Sequence, residues 1–434
     1  MDEAMRVLAD AQLFDMEIRA SLAYVEALVA PGVLTAAEGD QISAAYRRIA
    51  ADYASGKLGS VDSPDIFTLI DTRLEALIGP LVGKVQAGRS RTEQLLTALR
   101  LWLIEQMETL AEQIVDVQRA LLSQSEGHVG ALMPAYDQFR PVQVVSCGHW
   151  LLSYFWMLAR DQERLTNSIG RTSISPLGSG LLAGTPYRID RLTLAQAIEL
   201  SDITQNSLDA LSDWDFAAEF LFTANLISVH LSRLASDLLL YSSPSFGFVT
   251  LLPNTITATA RLVGARSTAG SLFGQFAGFM SLLKASPVGY NSEAAADRAT
   301  LYAAAETLTE LLPALTEVIT AMTLHADRMW DALDETILAA DLADYLAARG
   351  TTHAQAESIV ARVIQQAEKA GVTLSEMALP DLQSESALFD SDVYTVLDFS
   401  RSAAQRSTAG GTASAAVRAQ IRQANTWLVD AGFA

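Results

Sequence analysis

Apolar residues recur three and four positions apart along most of the chain, with Ala, Leu and Glu filling much of the space between them. That spacing lines one face of a 3.6-residue helix and predicts an almost wholly helical, all-α protein. Period-two alternation is nearly absent, so no substantial sheet is expected. Long helical patterns run over Ser90–Ser123, Val144–Asn167 and Thr193–Tyr241. The third contains NSLDALSDWDFAAEFLFTANLISVHLSRLASDLLLY, which is apolar on more than one face and must be covered on several sides. Other copies of the chain are the natural cover, so a homo-oligomer is predicted. Gly and Pro mark the joints, in APGVLTAAEGD near the start and in SISPLGSGLLAGTPYRIDR between two helical regions. From about Asp341 the chain turns more polar and reads as a smaller helical region around ADLADYLAARGTTHAQAESIVARVI. No internal repeat or low-complexity tract interrupts this pattern.

Composition narrows the partners. Half of the 434 residues are apolar, enough for an extensive core. Thirty basic residues against fifty acidic ones leave a formal charge of -20, which argues against nucleic acid and anionic membrane surfaces. Apolar runs such as SLFGQFAGFMSLL are too short to span a bilayer. The start, MDEAMRVLADAQLFD, is acidic and helical in period rather than a basic-then-apolar leader, so a cytoplasmic protein is expected. One cysteine, Cys147, leaves no intrachain disulfide and no multi-cysteine metal site, and reads as a small buried apolar residue. Five scattered histidines lack metal-ligand spacing, and no metal or cofactor is expected.

A resemblance is carried by long motifs in a fixed order: SPDIFTLIDTRLEALIGPLVGKVQAGRSRTEQLLTALRLW, then MPAYDQFRPVQVVSCGHWLLSYFWMLARDQERL, PLGSGLLAGTPYRIDR and NSLDALSDWDFAAEFLF, and finally AADLADYLAARG and QRSTAGGTASAAV. Across essentially its whole length the chain resembles argininosuccinate lyase, of the aspartase/fumarase superfamily. The resemblance implies three mainly helical domains, here 1–95, 96–340 and 341–434, with the middle one giving long helices to a bundle shared in a homotetramer. It further implies active sites built from three subunits and an amino-acid-like small-molecule substrate. The implied chemistry is a β-elimination that releases fumarate from a succinyl-amine. Such a reaction needs a base for a weakly acidic C–H, cations for two carboxylates and an acid for the leaving nitrogen.

Set beside that family, the chain departs at the residues that carry the chemistry. The family motif GYTHLQ is matched by AYDQFR, which puts Asp137 and Gln138 where a Thr–His pair is implied. The DIHT histidine is Phe67, and an N-terminal histidine is Tyr24. Where the family has GSSxMPxKKNP, a mobile loop with a basic Ser and a Lys, this chain has LLPNTIT. Anchored on Pro253, the first loop Lys falls at Thr255 and the serine pair at Val249 and Thr250. Anchored instead on FGFV, about nine or ten residues are missing. Downstream, YNKDxQED becomes YNSEAAAD, replacing a Lys by Ser292 and a Gln by Ala295, while Thr92 and Glu93 replace the Asn and Asp of GRSRND. Asp65, Arg89, Ser90, Arg91, Ser179, Tyr290 and Asn291 match the implied pocket, and Arg298 stands where the family often has Lys.

The candidates are therefore Asp137, Glu93 and Thr255 for proton transfer, and Asp65, Arg89, Arg91, Thr92, Gln138, Tyr290, Asn291 and Arg298 for substrate. Each has a plain structural alternative. An arginine beside a helix start also serves as a cap or an ion-pair partner, Asp137 as an N-cap or a partner for an arginine, and Ser179 as a tight-turn residue. Two functional readings follow. In the first, loss of lysines and gain of Asp137 turn the pocket from a dianionic succinyl group toward a neutral or cationic amino-acid-type ligand, giving a specialised biosynthetic enzyme. In the second, the chain is a catalytically silent homologue with a structural, regulatory or hetero-oligomeric role.

Overall fold

The computed structural model describes residues 11–57, 63–289, 295 and 297–432. The chain runs through α1 (Phe14–Val29), α2 (Ala36–Ala54), α3 (Ile66–Ile78) and α4 (Arg91–Gly127). A hairpin of β1 (Leu132–Asp137) and β2 (Arg140–Ser146) precedes α5 (Cys147–Thr172). Strands β3 (Ile174–Ser175) and β4 (Asp202–Ile203) pair in parallel on either side of α6 (Arg191–Ala197). Then come α7 (Asp215–Tyr241), β5 (Val249–Thr250), α8 (Thr255–Ala285), α9 (Ala299–Ala321) and β6 (Thr323–Leu324), with β5 and β6 antiparallel. The chain closes with α10 (Ala339–Ala347), α11 (His353–Ala370) and α12 (Ser414–Asp430), and short helical turns lie between the labelled elements.

The expected helical protein is present, and its helix ends follow local chemistry. Thr35 and Glu38 form a reciprocal cap at the start of α2, as do Thr352 and Gln355 at α11, each worth about 1 kcal/mol. Asp65 caps α3 by accepting the Thr68 N–H at 2.7 Å. Helix α11 stops at Gly371, whose φ of 68° suits a residue without a Cβ.

Two expectations need correction. The predicted continuous helix over Thr193–Tyr241 is broken between α6 and α7. There the side chains of Asp202, Asn206 and Asp213 accept N–H groups of Ile203, Leu208 and Asp215, competing with helical bonding. The near-absence of strand signals also concealed three two-stranded ladders among the described residues, two of them only two residues long on each side. Two residues are too few to show alternation.

The chain groups into two compact units. Unit 1 comprises Met1–Ala111, Asp161–Ser228 and Thr268–Glu310; unit 2 comprises Glu112–Arg160, Val229–Ser267 and Leu311–Ala434. In unit 1, Phe14 stacks on Tyr53 with centroids 3.8 Å apart, and Tyr24, Tyr46 and Phe220 are fully buried. In unit 2, Leu152 and Phe155 of α5 pack on Val417 and Ile421 of α12, and a second core gathers Tyr345, Val360 and Phe389. Burying each such side chain contributes about 1.5–3 kcal/mol. Cys147, the first residue of α5, is fully buried as expected, and burial pushes its thiol up to about 12.

Candidate functional site

In unit 1 the AGRSR segment leads into α4. Gly88 takes φ +70°, and a Cβ there would lie 2.2 Å from Thr185 Oγ1, so the approach of these two loops requires glycine. The Glu93 N–H donates to Ser90 Oγ at 3.2 Å, and the Ser90 N–H donates to Glu93 Oε1 at 3.3 Å, a reciprocal cap on α4. The same two side chains hold the PLGSG loop: Gly180 N–H donates to Glu93 Oε2 at 2.7 Å, and Ser90 Oγ donates to Gly180 O at 2.8 Å. Burial pushes the Glu93 carboxyl up to about 7, opposed by Arg89 and by the two backbone donors. Both carboxylate oxygens are thus occupied by scaffold.

Arg89 is sealed beside Glu93. Its guanidinium donates to Ser21 Oγ at 2.8 Å, pairs with Glu17 at 3.3 Å, and lies 5.1 Å from the Tyr24 ring centroid. Gln94 Nε2 also donates to Glu17, at 3.1 Å. Burial raises the Glu17 carboxyl despite the lowering effect of Arg89. Tyr24, in place of an implied imidazole, donates its hydroxyl to Ala87 O at 2.8 Å, and burial pushes that hydroxyl up.

The remaining unit 1 candidates sit differently. Arg91 is half exposed, pairs with Asp71 at 2.6 Å and lies 5.3 Å from the ring of buried Phe67. Thr92 is partly buried, and Asp65 is the α3 cap described above. Ser179 is buried and accepts from Arg191 at 3.0 Å. Arg298 is partly buried and donates to Ala295 O at 2.5 Å. Tyr290, Asn291 and Ser292 lie outside the described residues.

Unit 2 holds the other candidates. Asp137 ends β1, and the two-residue turn that follows, Gln138 and Phe139, has φ of 48° and 62°. Positive φ at both turn residues is the geometry that favours Asn and Gly, so the Gln–Phe pair is strained. Asp137 and Gln138 are exposed, and Phe139 is 89% exposed. Thr255, at the start of α8, donates its hydroxyl to Leu251 O at 3.0 Å. No hydrogen bond or ion pair joins Asp137 or Gln138 to Thr255 among the described residues.

Sequence reasoning missed three unit 2 features. Thr250 Oγ1 lies 2.7 Å from His325 Nε2, brought together by the β5–β6 ladder and by the His325 N–H, which donates to Phe248 O at 2.9 Å. A hydroxyl against an imidazole can relay a proton. On α7, Asp237 accepts from Trp150 Nε1 at 2.9 Å and from the Tyr154 hydroxyl at 2.6 Å, beside an aromatic cluster that includes Tyr241, Phe246 and Phe248. Finally, Arg261 of α8 meets Glu317 of α9 at 2.6 Å on the wall of a pocket of about 590 Å³.

Comparison with known proteins settles the family. The sequence profile of the lyase family matches residues 2–257, and that of the argininosuccinate lyase C-terminal region matches residues 336–404. An argininosuccinate lyase of Roseiflexus sp. (strain RS-1) is 40% identical over 425 residues, covering 96% of this chain and 93% of the relative. The chain belongs to the argininosuccinate lyase family. Another argininosuccinate lyase, from Chloroflexus aggregans, is 36% identical over 432 residues, with 97% and 94% of the two chains covered. Among solved structures, EDDS lyase in complex with formate superposes with a TM-score of 0.88 at 23% identity, covering 98% of this chain and 87% of that one. The fumarate lyase from Mesorhizobium sp. BNC1 gives 0.78 at 18% identity, covering 97% and 98%. The fold is the all-α aspartase/fumarase type. No described helix is long and apolar enough to cross a membrane.

Within the argininosuccinate lyase family's motifs, then, unit 1 gathers Arg89, Ser90, Glu93 and the PLGSG loop into one fastened cluster, and leaves Arg91 half exposed. A signal for the missed His325 existed only as MTLH, a short alternation after a long helix. Its partner lies 75 positions away.

Proposed function

We propose that the chain is a divergent enzyme of the argininosuccinate lyase family, catalysing acid/base elimination or addition at the carbon–nitrogen bond of an amino-acid-type substrate other than argininosuccinate. One observation carries this reading: at two of the three positions where the resemblance implies imidazoles, the side chains are committed elsewhere. Tyr24 spends its hydroxyl on Ala87 O, and Phe67 is buried beneath Arg91. In an elimination the base removes the C–H proton, that electron pair forms the C=C bond, and the nitrogen leaves with its electrons and takes up a proton. Of the three proton-transfer candidates, Glu93 and Thr255 are engaged by backbone, whereas Asp137 is exposed. Thr250–His325 joins Asp137 as a proton-transfer candidate, and His325→Gln is expected to lower turnover by about 100-fold with stability unchanged.

A second reading, cleavage of argininosuccinate itself, is favoured by the 36–40% identity to relatives that carry that name. Turnover of argininosuccinate, and of a panel of amino-acid conjugates including those of guanidino and hydrazino acids, separates the two. The expected result is turnover of a conjugate with argininosuccinate at least about 100-fold slower in kcat/KM. Brisk fumarate release from argininosuccinate overturns the proposal, and neither turnover nor a thermal shift with any conjugate leaves the silent homologue.

The same reading includes a homotetramer, a cytoplasmic location and the three-part division at residues 95 and 340. Supporting the oligomer, α8 is apolar on several faces and leaves Ile256, Val263, Phe273 and Met280 exposed. Sedimentation of the purified chain as a monomer removes that part.

A further inference from the structure

We propose that the unit 2 pocket between the start of α8 and the end of α9 seats an α-amino-acid zwitterion with an aliphatic side chain. Arg261 takes the carboxylate and Glu317 the ammonium, and this deepens, and rests on, the reading of an amino-acid-type substrate. The pocket's volume of about 590 Å³ falls within the range of small-ligand sites. Its apolar wall comes from Leu252, Pro253, Ala258 and Ala321, and among the described residues Arg261 and Glu317 are the charged side chains that line it.

Charge decides the ligand class. The two side chains lie 2.6 Å apart, with 36% of Arg261 and 66% of Glu317 exposed. An ion pair so open to water contributes only about 0–1 kcal/mol, so parting it costs little. A zwitterion entering between the partners replaces one contact by two charge-assisted ones, carboxylate to guanidinium and ammonium to carboxylate. A dianion instead meets Glu317 unpaired, and a bare amine meets Arg261 unpaired. The site is therefore selective for a molecule carrying both charges on one carbon.

Calorimetric titration of the full-length protein with L-leucine tests the proposal, alongside 4-methylpentanoate (no amine), 3-methylbutylamine (no carboxylate) and succinate. L-Leucine is expected to bind saturably in the millimolar range, with each of the other three at least about tenfold weaker. Arg261→Met and Glu317→Gln are each expected to weaken L-leucine at least about tenfold, and Glu317→Gln to strengthen 4-methylpentanoate relative to L-leucine. Both side chains are surface-open, so circular dichroism melts verify that the variants are folded. No saturation up to about 50 mM, equal binding of the amine or the acid, or indifference to both variants overturns the proposal. The broader reading fails separately: brisk cleavage of argininosuccinate with L-leucine still bound at Arg261 and Glu317 sinks that reading alone, whereas conjugate turnover without L-leucine binding sinks this inference alone.

Discussion

In unit 1, Arg89, Glu17 and Glu93 are closed off from solvent, and each finds its partners in neighbouring scaffold: Ser21, Gln94, and the backbone of Ser90 and Gly180. In unit 2, Arg261 and Glu317 are also a charge pair at short range, but both remain open to water on the wall of a pocket. The same chemistry does different work according to burial. A sealed charge cannot be released without stranding its partner, so it fixes geometry. An open one exchanges its partner at little cost, so it is available to a ligand. By this criterion the charges around Arg89 hold loops in place, whereas the pair at Arg261, beside the LLPNTIT segment, is open to exchange partners.

The largest test of that contrast is Arg89→Met, which strands buried Glu17 and is expected to cost about 3–5 kcal/mol in urea unfolding at neutral pH. Adding Glu17→Met to the same chain is expected to recover most of the loss, because the pair then becomes apolar. A loss below about 1 kcal/mol for Arg89→Met alone would erase the distinction between the units.

Next in size is the pH dependence of Glu93. Its folded carboxyl titrates near 7 instead of 4.5, so between those values the native state holds a proton that the unfolded chain has released. Stability therefore falls as pH rises through this window, by up to about 1.4 kcal/mol per pH unit from this group. Glu93→Gln is expected to flatten that slope in paired denaturation series at pH 5, 6 and 7; an unchanged slope refutes the assignment.

Smaller still, Phe139→Gly relieves a positive φ at the hairpin tip and is expected to stabilise by about 1 kcal/mol in thermal melts. If turnover is lost at the same time, the exposed ring is in contact with substrate, and the strain has a purpose. Smallest is Arg261→Met, expected to shift stability by no more than about 0.5 kcal/mol while weakening L-leucine binding at least about tenfold. A loss as large as that for Arg89 would show that this pair, too, is scaffold.

How far all this was legible follows from distance along the chain. Helix periodicity is written within a dozen neighbouring residues, so α4 and α5 were readable almost to their ends, and the resemblance supplied the fold that they build. Between α6 and α7 the same apolar spacing persists, but Asp202, Asn206 and Asp213 take the backbone donors, and periodicity does not register that competition. Motifs marked Arg89 and Glu93 as candidates. Their roles depend on Glu17, 72 positions earlier, and on Gly180, 87 positions later. Thr250 and His325, like Arg261 and Glu317, meet only because short strands and two helices bring them together, with no fixed spacing for a reader of the sequence to recognise.

The burial of Cys147 has a practical consequence. With the native chain's one thiol sealed at the start of α5 and held protonated, a cysteine introduced by Phe139→Cys becomes the sole point of attachment for a maleimide dye. In the proposed oligomer, energy transfer between dyes on different copies then reports how far apart the hairpin tips lie.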